Sequence, residues 1–314
     1  MGTPEFAVES LKRLVEGGYN VVGVITMPDK PMGRHGSVLQ SSPVKEYAVS
    51  QGLKILQPER LKDEAFLEEL RALQADLQIV VAFRMLPESV WNMPRLGTFN
   101  LHASLLPQYR GAAPINWAII NGDKESGVTT FFLKHEIDTG DVIFRDVVAI
   151  DENDTAGTLH DKLMLQGGDT VMRTVEAIVN GTVTALPQSE MYINESELRP
   201  APKIFRDTCH INWQGSVDSV YNFVRGMSPY PAAWCELVNA NDEAVALKVY
   251  AVSKEYVQHD KAAGTIVTDG KNYIKVAVEG GYVSLDEVQL AGKKRMPVAD
   301  LLRGFSVEGI KCVK

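Results

Sequence analysis

What most constrains this chain is an alternation: short, β-branched apolar runs separated by stretches with helical periodicity. Val21-Val22-Gly23-Val24-Ile25 and residues 77–82 are apolar without strict alternation, as strands covered on both faces of a parallel sheet must be. Between them, residues 7–16 set Val8, Leu11, Leu14 and Val15 on one helical face, and residues 63–74 do the same with Phe66, Leu67, Leu70 and Leu73. This succession predicts an α/β fold with a doubly wound, mostly parallel, Rossmann-like sheet that binds ligands at the carboxyl ends of its strands. Residues 97–102 and 127–133 read as further strands, 113–121 as a helix with Pro114 near its first turn, and 158–181 as a long amphipathic helix.

After Leu186-Pro187 the pattern changes. Residues 189–203 are polar, contain Pro200 and Pro202, and read as a linker. Beyond them a helical pattern at 216–225 precedes short runs at 244–252, 264–267, 273–278 and 282–289, bounded by Gly, Asn and Asp; these predict a smaller, OB-like β-barrel. The expected organisation is a catalytic domain at 1–188, a linker at 189–203 and a C-terminal domain at 204–314.

With 45% apolar and 23% charged residues the chain has the balance of a globular enzyme. No stretch reaches the ~18 to 20 apolar residues of a membrane span, and no basic start leads into an apolar run, so a cytoplasmic protein is expected. Cys209, Cys235 and Cys312 are odd in number and far apart, which predicts reduced thiols and no metal site. The net charge of −8 argues against a general nucleic-acid-binding protein, though a whole-chain sum can hide a local basic face. It is unevenly placed: residues 203–314 carry 14 Lys and Arg against 13 Asp and Glu, so the acidity lies in the first 202. A basic stripe such as Lys293-Lys294-Arg295 could therefore meet phosphate, or be an ordinary solvated run. A monomer is expected.

The most informative segment is Phe99-Asn100-Leu101-His102-Ala103-Ser104-Leu105-Leu106-Pro107, followed by Tyr109-Arg110-Gly111-Ala112-Ala113-Pro114. Residues two apart on a strand share a face, so Asn100 and His102 project together. An amide donor beside an imidazole can hold the oxygen of a carbonyl under attack and manage the proton of the attacking group. Alone, the pair reads more readily as a turn-capping asparagine and a core histidine. A second polar run, His135-Glu136-Ile137-Asp138-Thr139-Gly140-Asp141, follows the strand ending at Leu133 and could bring a carboxylate to His102, or be a solvated loop. No GxGxxG joins a first strand to a helix, which argues against a dinucleotide-binding oxidoreductase.

N-L-H-x-S-L-L-P, then Y-R-G-A-A-P, then E-x-D-T-G-D, in this order and spacing, resembles the folate-dependent formyltransferases. The start Met-Gly-Thr-Pro-Glu-Phe-Ala-Val, the segments Pro28-Asp29-Lys30-Pro31-Met32-Gly33-Arg34, Ala201-Pro202-Lys203-Ile204 and Ser228-Pro229-Tyr230-Pro231-Ala232-Ala233-Trp234, and Gly292-Lys293-Lys294-Arg295-Met296 with Leu302-Arg303-Gly304, are similar to the branch that formylates initiator Met-tRNA. The resemblance implies 10-formyltetrahydrofolate as formyl donor and Asn100, His102 and Asp138 as the catalytic set. It implies a folate site lined by Phe83, Arg84, Met85, Leu86, Ser104, Leu105, Leu106, Pro107, His135, Glu136 and Ile137, and tRNA contacts from Lys30 and Arg34, with Lys293, Lys294 and Arg295 as second candidates. Two departures stand out: Phe83-Arg84 replaces a small or aromatic residue followed by Gly, and the strand that leads into Met-Gly-Thr-Pro in the family has no counterpart before Met1. The same three residues would serve a hydrolase that delivers formyl to water, or a formyltransferase for another amine.

Overall fold

In the computed structural model of the chain, which describes residues 1–32, 38–192, 194–239, 243–307 and 310–313, apolar runs become strands where a neighbouring backbone pairs with them and stay irregular where none does. The strands of the first half are β1 (Val24–Ile25), β2 (Lys30–Met32), β3 (Val38–Gln40), β4 (Ile55–Leu56), β5 (Gln78–Val81), β6 (Thr98–His102), β7 (Glu125–Phe132) and β8 (Val142–Ala149). The helices are α1 (Phe6–Glu16), α2 (Pro43–Ser50), α3 (Glu64–Ala72), α4 (Glu88–Trp91), α5 (Pro114–Ile120) and α6 (Ala156–Val179). Helix α2 shows how local chemistry sets a start: Ser42 Oγ accepts from Lys45 N at 3.1 Å, and Pro43 occupies the first turn, where its missing N–H is no loss.

The residues divide into two compact units that interleave in sequence. The first takes in residues 1–111, 126–149 and 160–200; the second takes in 112–125, 150–159 and 201–314. In the first unit β5 to β8 lie side by side in sequence order, β5 parallel to β6 and β7 antiparallel to it, while β1 pairs in parallel only with β4. Phe66, Leu67 and Leu70 of α3 are buried with Ile25, Val80 and Val90, so the helix covers the sheet with its apolar stripe.

Between β1 and β5 the sheet is bridged over only two residues. Gly2 N–H donates to Ile25 O at 3.0 Å, Val81 N–H to Met1 O at 2.9 Å, and the Met1 amine to Ile79 O at 2.7 Å. A Cβ on Gly2 would meet Ala7 Cβ at 2.5 Å and Val81 O at 2.9 Å, so only glycine fits that crossing. Behind Met1 a channel of about 440 Å³ separates the two edges, walled by Leu11, Leu14, Val22, Leu73, Ile79 and Val175. This explains why Val21-Val22-Gly23, expected as strand, is irregular and only Val24–Ile25 pairs: the N–H and C=O groups along that edge face no partner backbone.

The second unit is built on a seven-stranded antiparallel sheet of β9 (Ala233–Asn239), β10 (Ala244–Tyr256), β11 (Ile266–Thr268), β12 (Ile274–Val278), β13 (Gly281–Leu290), β14 (Met296–Pro297) and β15 (Ile310–Val313), in the order β11-β12-β13-β10-β9-β15 with β14 on β13. The end strands β11 and β15 come back into contact, so the sheet curls as the barrel expectation required. Its interior holds Leu237, Leu247, Ile274 and Leu285, covered by the Val220, Val224 and Met227 face of α7 (Val217–Met227) and by α8 (Val298–Leu302). Helix α5 belongs here: Asn116 Nδ2 donates to Gly226 O of α7 at 2.7 Å. Cys209 and Cys235 are buried free thiols, and burial pushes Cys235 up to about 12, so it stays protonated. Among the described residues no helix is long and apolar enough to cross a membrane, and no group of three or more His, Cys, Asp or Glu is arranged around a metal position.

Candidate active site

Strand β6 carries the first two candidate residues to its carboxyl end. It is held on both sides, with Asn100 opposite Val80 of β5 and Phe131 of β7, and His102 opposite Thr129. Phe99 and Leu101 are buried, which fixes the register and leaves Asn100 and His102 sharing the other face. The Asn100 amide is half-buried and no described residue hydrogen-bonds it, so both its N–H groups are available to a ligand.

His102 is 7% exposed and its Nε2 lies 2.8 Å from Tyr109 O. A carbonyl can only accept, so Nε2 carries the proton and Nδ1 of the neutral ring is left with its lone pair. Nδ1 faces Asp138 Oδ2 at 3.8 Å, too far for a hydrogen bond but close enough to pair with the ring once it takes a second proton. The Tyr109 backbone carbonyl thus orients the imidazole; Tyr109 is 3% exposed and sits at φ 60°.

Asp138 follows β7 on a turn with φ 56°, a region that Asp tolerates better than most residues. Its Oδ2 accepts from Gly111 N at 3.0 Å. Two positions later only glycine fits, because a Cβ on Gly140 would stand 1.6 Å from Phe132 O. Sequence reasoning missed Gln188, which is 2% exposed and bonds to Asp138 O, Gly140 O and Arg110. Nothing in Leu186-Pro187-Gln188 marks it; a buried glutamine becomes visible only when three distant segments meet.

The residues expected around the folate fall into two sets. Met85 (73% exposed), Ile137 (61%), His135 and Glu136 are open to solvent, and Phe83 is half-buried. His135 lies edge-on to Trp91 and 3.8 Å from Glu88. Ser104, Leu106 and Pro107 instead face inward: Ser104 Oγ donates to Gln108 O at 2.6 Å, and Leu106 packs with Phe131 and Val142. Leu86 is buried in the α3 core and Leu105 is half-buried. Arg84 is anchored by its guanidinium to the carbonyls of Pro58 and Glu59, over the Phe83 ring, and burial lowers its pKa from the usual value without removing its charge.

Of the candidate tRNA contacts, Lys30 is exposed on β2, and Arg34 lies outside the described residues. Lys293 and Lys294 are exposed on the turn after β13. Arg295 is partly committed, 2.5 Å from Glu287 and stacked on Tyr250 at 4.3 Å.

Comparison with known proteins agrees over nearly the whole length. The formyl transferase family model matches residues 1–175, and the model of its C-terminal domain matches residues 203–306. Methionyl-tRNA formyltransferases of Phocaeicola vulgatus and Parabacteroides distasonis are 68% and 66% identical to the chain over 305 residues, which is 97% of the chain and 94% of each relative. That of Flavobacterium johnsoniae is 52% identical over 98% of the chain and 95% of its own length. Among solved structures, a sugar 3N-formyl transferase crystallised with dTDP and 5-N-formyl-THF superposes with a TM-score of 0.62 at 20% identity, covering 93% of this chain and 97% of that one. An N-formyltransferase from Helicobacter canadensis gives the same score and identity over 94% and 97%. By sequence along its length and by the fold of its units, this chain belongs to the formyl transferase family and carries both the family's N-terminal and its C-terminal domain.

Proposed function

We propose that the chain transfers the formyl group of 10-formyltetrahydrofolate to the α-amino group of initiator Met-tRNA, acting as a cytoplasmic monomer. The observation that carries the chemistry is the grouping at the end of β6 of an unengaged amide, Asn100, with His102, whose Nδ1 stands 3.8 Å from Asp138 Oδ2. The acceptor is supported by relatives 52–68% identical over at least 97% of the chain, all methionyl-tRNA formyltransferases.

The residues suit each step. An α-amino group with pKa ~8 keeps a nucleophilic neutral fraction near neutral pH, so no strong base is required. Its nitrogen attacks the formyl carbon, the C=O π pair moves onto oxygen, and the Asn100 N–H groups are free to donate to that oxyanion. Collapse breaks the bond from the formyl carbon to folate N10, which must gain a proton, while the attacking nitrogen must lose one. His102 can take that proton at Nδ1, where Asp138 Oδ2 pairs with the imidazolium, and can return it to the leaving nitrogen. Met85 and Ile137 offer exposed apolar surface for the folate ring system. Of the candidate cations, Lys30, Lys293 and Lys294 are exposed and available to tRNA phosphates.

The test is formyl transfer from 10-formyltetrahydrofolate to initiator Met-tRNA, with elongator Met-tRNA and tRNA-free buffer alongside. Transfer confined to the initiator is expected. Folate turnover without any tRNA would replace this reading with a hydrolase.

A further inference from the structure

The carboxylate of Asp138 is aimed at His102 by a residue fifty positions further along. Gln188 opens a single 3-10 turn, Gln188–Glu190, after Pro187, and its side chain is enclosed. Its Nε2 donates to Asp138 O at 2.8 Å and to Gly140 O at 2.9 Å, and its Oε1 accepts from Arg110 Nε and Nη2 at 2.9 and 2.7 Å. Both donors and both acceptor positions of the amide are used, which fixes which end is oxygen and which nitrogen. Next to Arg110, Gly111 N donates to Asp138 Oδ2. The Arg110-Gly111 pair thus grips Asp138 twice, at the carboxylate through Gly111 and at the backbone through Gln188.

We propose that Gln188 is a positioning residue for the reaction: by tying the Asp138 and Gly140 carbonyls to Arg110 it sets where the Asp138 carboxylate stands relative to His102 Nδ1. Asp138 is held at φ 56°, and Gly140 is jammed against Phe132 O, so the turn has no slack of its own to aim the side chain. Without the amide, two carbonyls lose their donors, Arg110 loses its acceptor, and the turn relaxes toward the ordinary backbone region, carrying the carboxylate away from the imidazole. A shift of about 1 Å in a reacting group can cost on the order of 100-fold in rate. The inference rests on the formyltransferase reading given above, but it concerns only how the site is aimed.

Gln188→Met keeps the volume and removes every hydrogen bond; Gln188→Glu keeps an acceptor for Arg110 and turns an oxygen toward the two carbonyls. Both are expected to lower kcat about 10- to 100-fold with KM for tRNA and folate within about twofold, and to move the acidic limb of the pH–rate profile. In an Asp138→Asn background, Gln188→Met should cost less than about twofold further, because a carboxylate already removed cannot be misaimed. Arg110→Met loosens the same clamp from the other side and serves should the Gln188 variants not fold. A Gln188→Met enzyme that melts lower but keeps its kcat and pH profile, or one whose loss multiplies fully with that of Asp138→Asn, would overturn the proposal. Wild type is measured alongside: silence there refutes the functional reading, whereas an active wild type with undiminished Gln188 variants refutes only the clamp.

Discussion

In a chain that carries its α-amine at Met1, acidifying from pH 8 to pH 5 is expected to remove about 4 kcal/mol of stability through that one group. The Met1 residue keeps some exposure, but its amine is enclosed beside Ile79 O, and burial pushes its pKa from the ordinary 8.0 down to about 5. In the unfolded chain the amine takes a proton below pH 8; in the folded chain it stays neutral until about pH 5. Across that window the unfolded chain binds more protons, so stability rises with pH from 5 to 8, and this contribution is flat outside those limits. At 1.36 kcal/mol per pH unit the window amounts to about 4 kcal/mol, a large share of the ~5 to 15 that holds a typical domain together. The assay is urea unfolding at half-unit steps from pH 5 to 8.5, on the chain with a free amine and on the same chain acetylated at Met1. Acetylation removes the titration yet keeps an N–H for Ile79 O, and carboxylates and histidines titrate alike in both forms. The difference between the two curves isolates the amine. Superimposable pH dependences would refute the claim that the amine is enclosed.

Three further outcomes follow from the site and its surroundings. Asn100→Ala should lower kcat about 100- to 1000-fold, the usual cost of an oxyanion donor, with an unchanged melting temperature because the amide bonds to no described residue; single-turnover formyl transfer and thermal melts check both halves. Gly140→Ala should abolish most activity and destabilise the first unit by roughly 1–3 kcal/mol, since its Cβ cannot share space with Phe132 O and the Asp138 turn must move; denaturant unfolding beside the activity assay reads both effects. Replacing exposed Lys293 and Lys294 together by Glu should raise KM for tRNA and leave the folate KM unchanged; a salt titration of the tRNA KM should show a shallower slope than wild type.

Sequence patterns located elements best where a residue's neighbours along the chain decided its fate. α1, α3 and α6 appear within a few residues of their apolar stripes, and β6 and β7 lie where turn residues bound apolar runs. Helix α2 was missed although Ser42-Pro43 is a start signal, because its apolar stripe is short: only Val44 and Ala48 are buried. Strand β8 was missed although Val142–Ala149 alternates inward and outward beyond Ile143. Strand pairing is a non-local matter, so the failure of Val21-Val22-Gly23 to pair could not be read from its excellent β composition. The site divides in the same way. Asn100, His102 and Asp138 were found through spacing and resemblance, but the Tyr109 carbonyl that orients His102 is a backbone group, and its placement depends on loop closure. Gln188 was invisible for a related reason: its importance lies in satisfying three segments that approach only after folding.

The interleaving of the two units bears on the order in which the protein can form as it leaves the ribosome. By the time residue 200 has been made, the first unit is complete in sequence, yet segments 112–125 and 150–159, which belong to the second, have already emerged. Their partners arrive later: Gly226, whose carbonyl receives Asn116, and Arg225, whose Nη1 donates to Asp154 O at 2.9 Å. Ile120, which packs against the core of the second unit beside Gly226, must wait for its partner until α7 is synthesised, and a nascent chain paused near residue 200 would be a target for chaperones at that spot. Cleaving the finished chain between the family's two domains would likewise strand α5 on the wrong fragment, so the C-terminal piece would lack part of its own core.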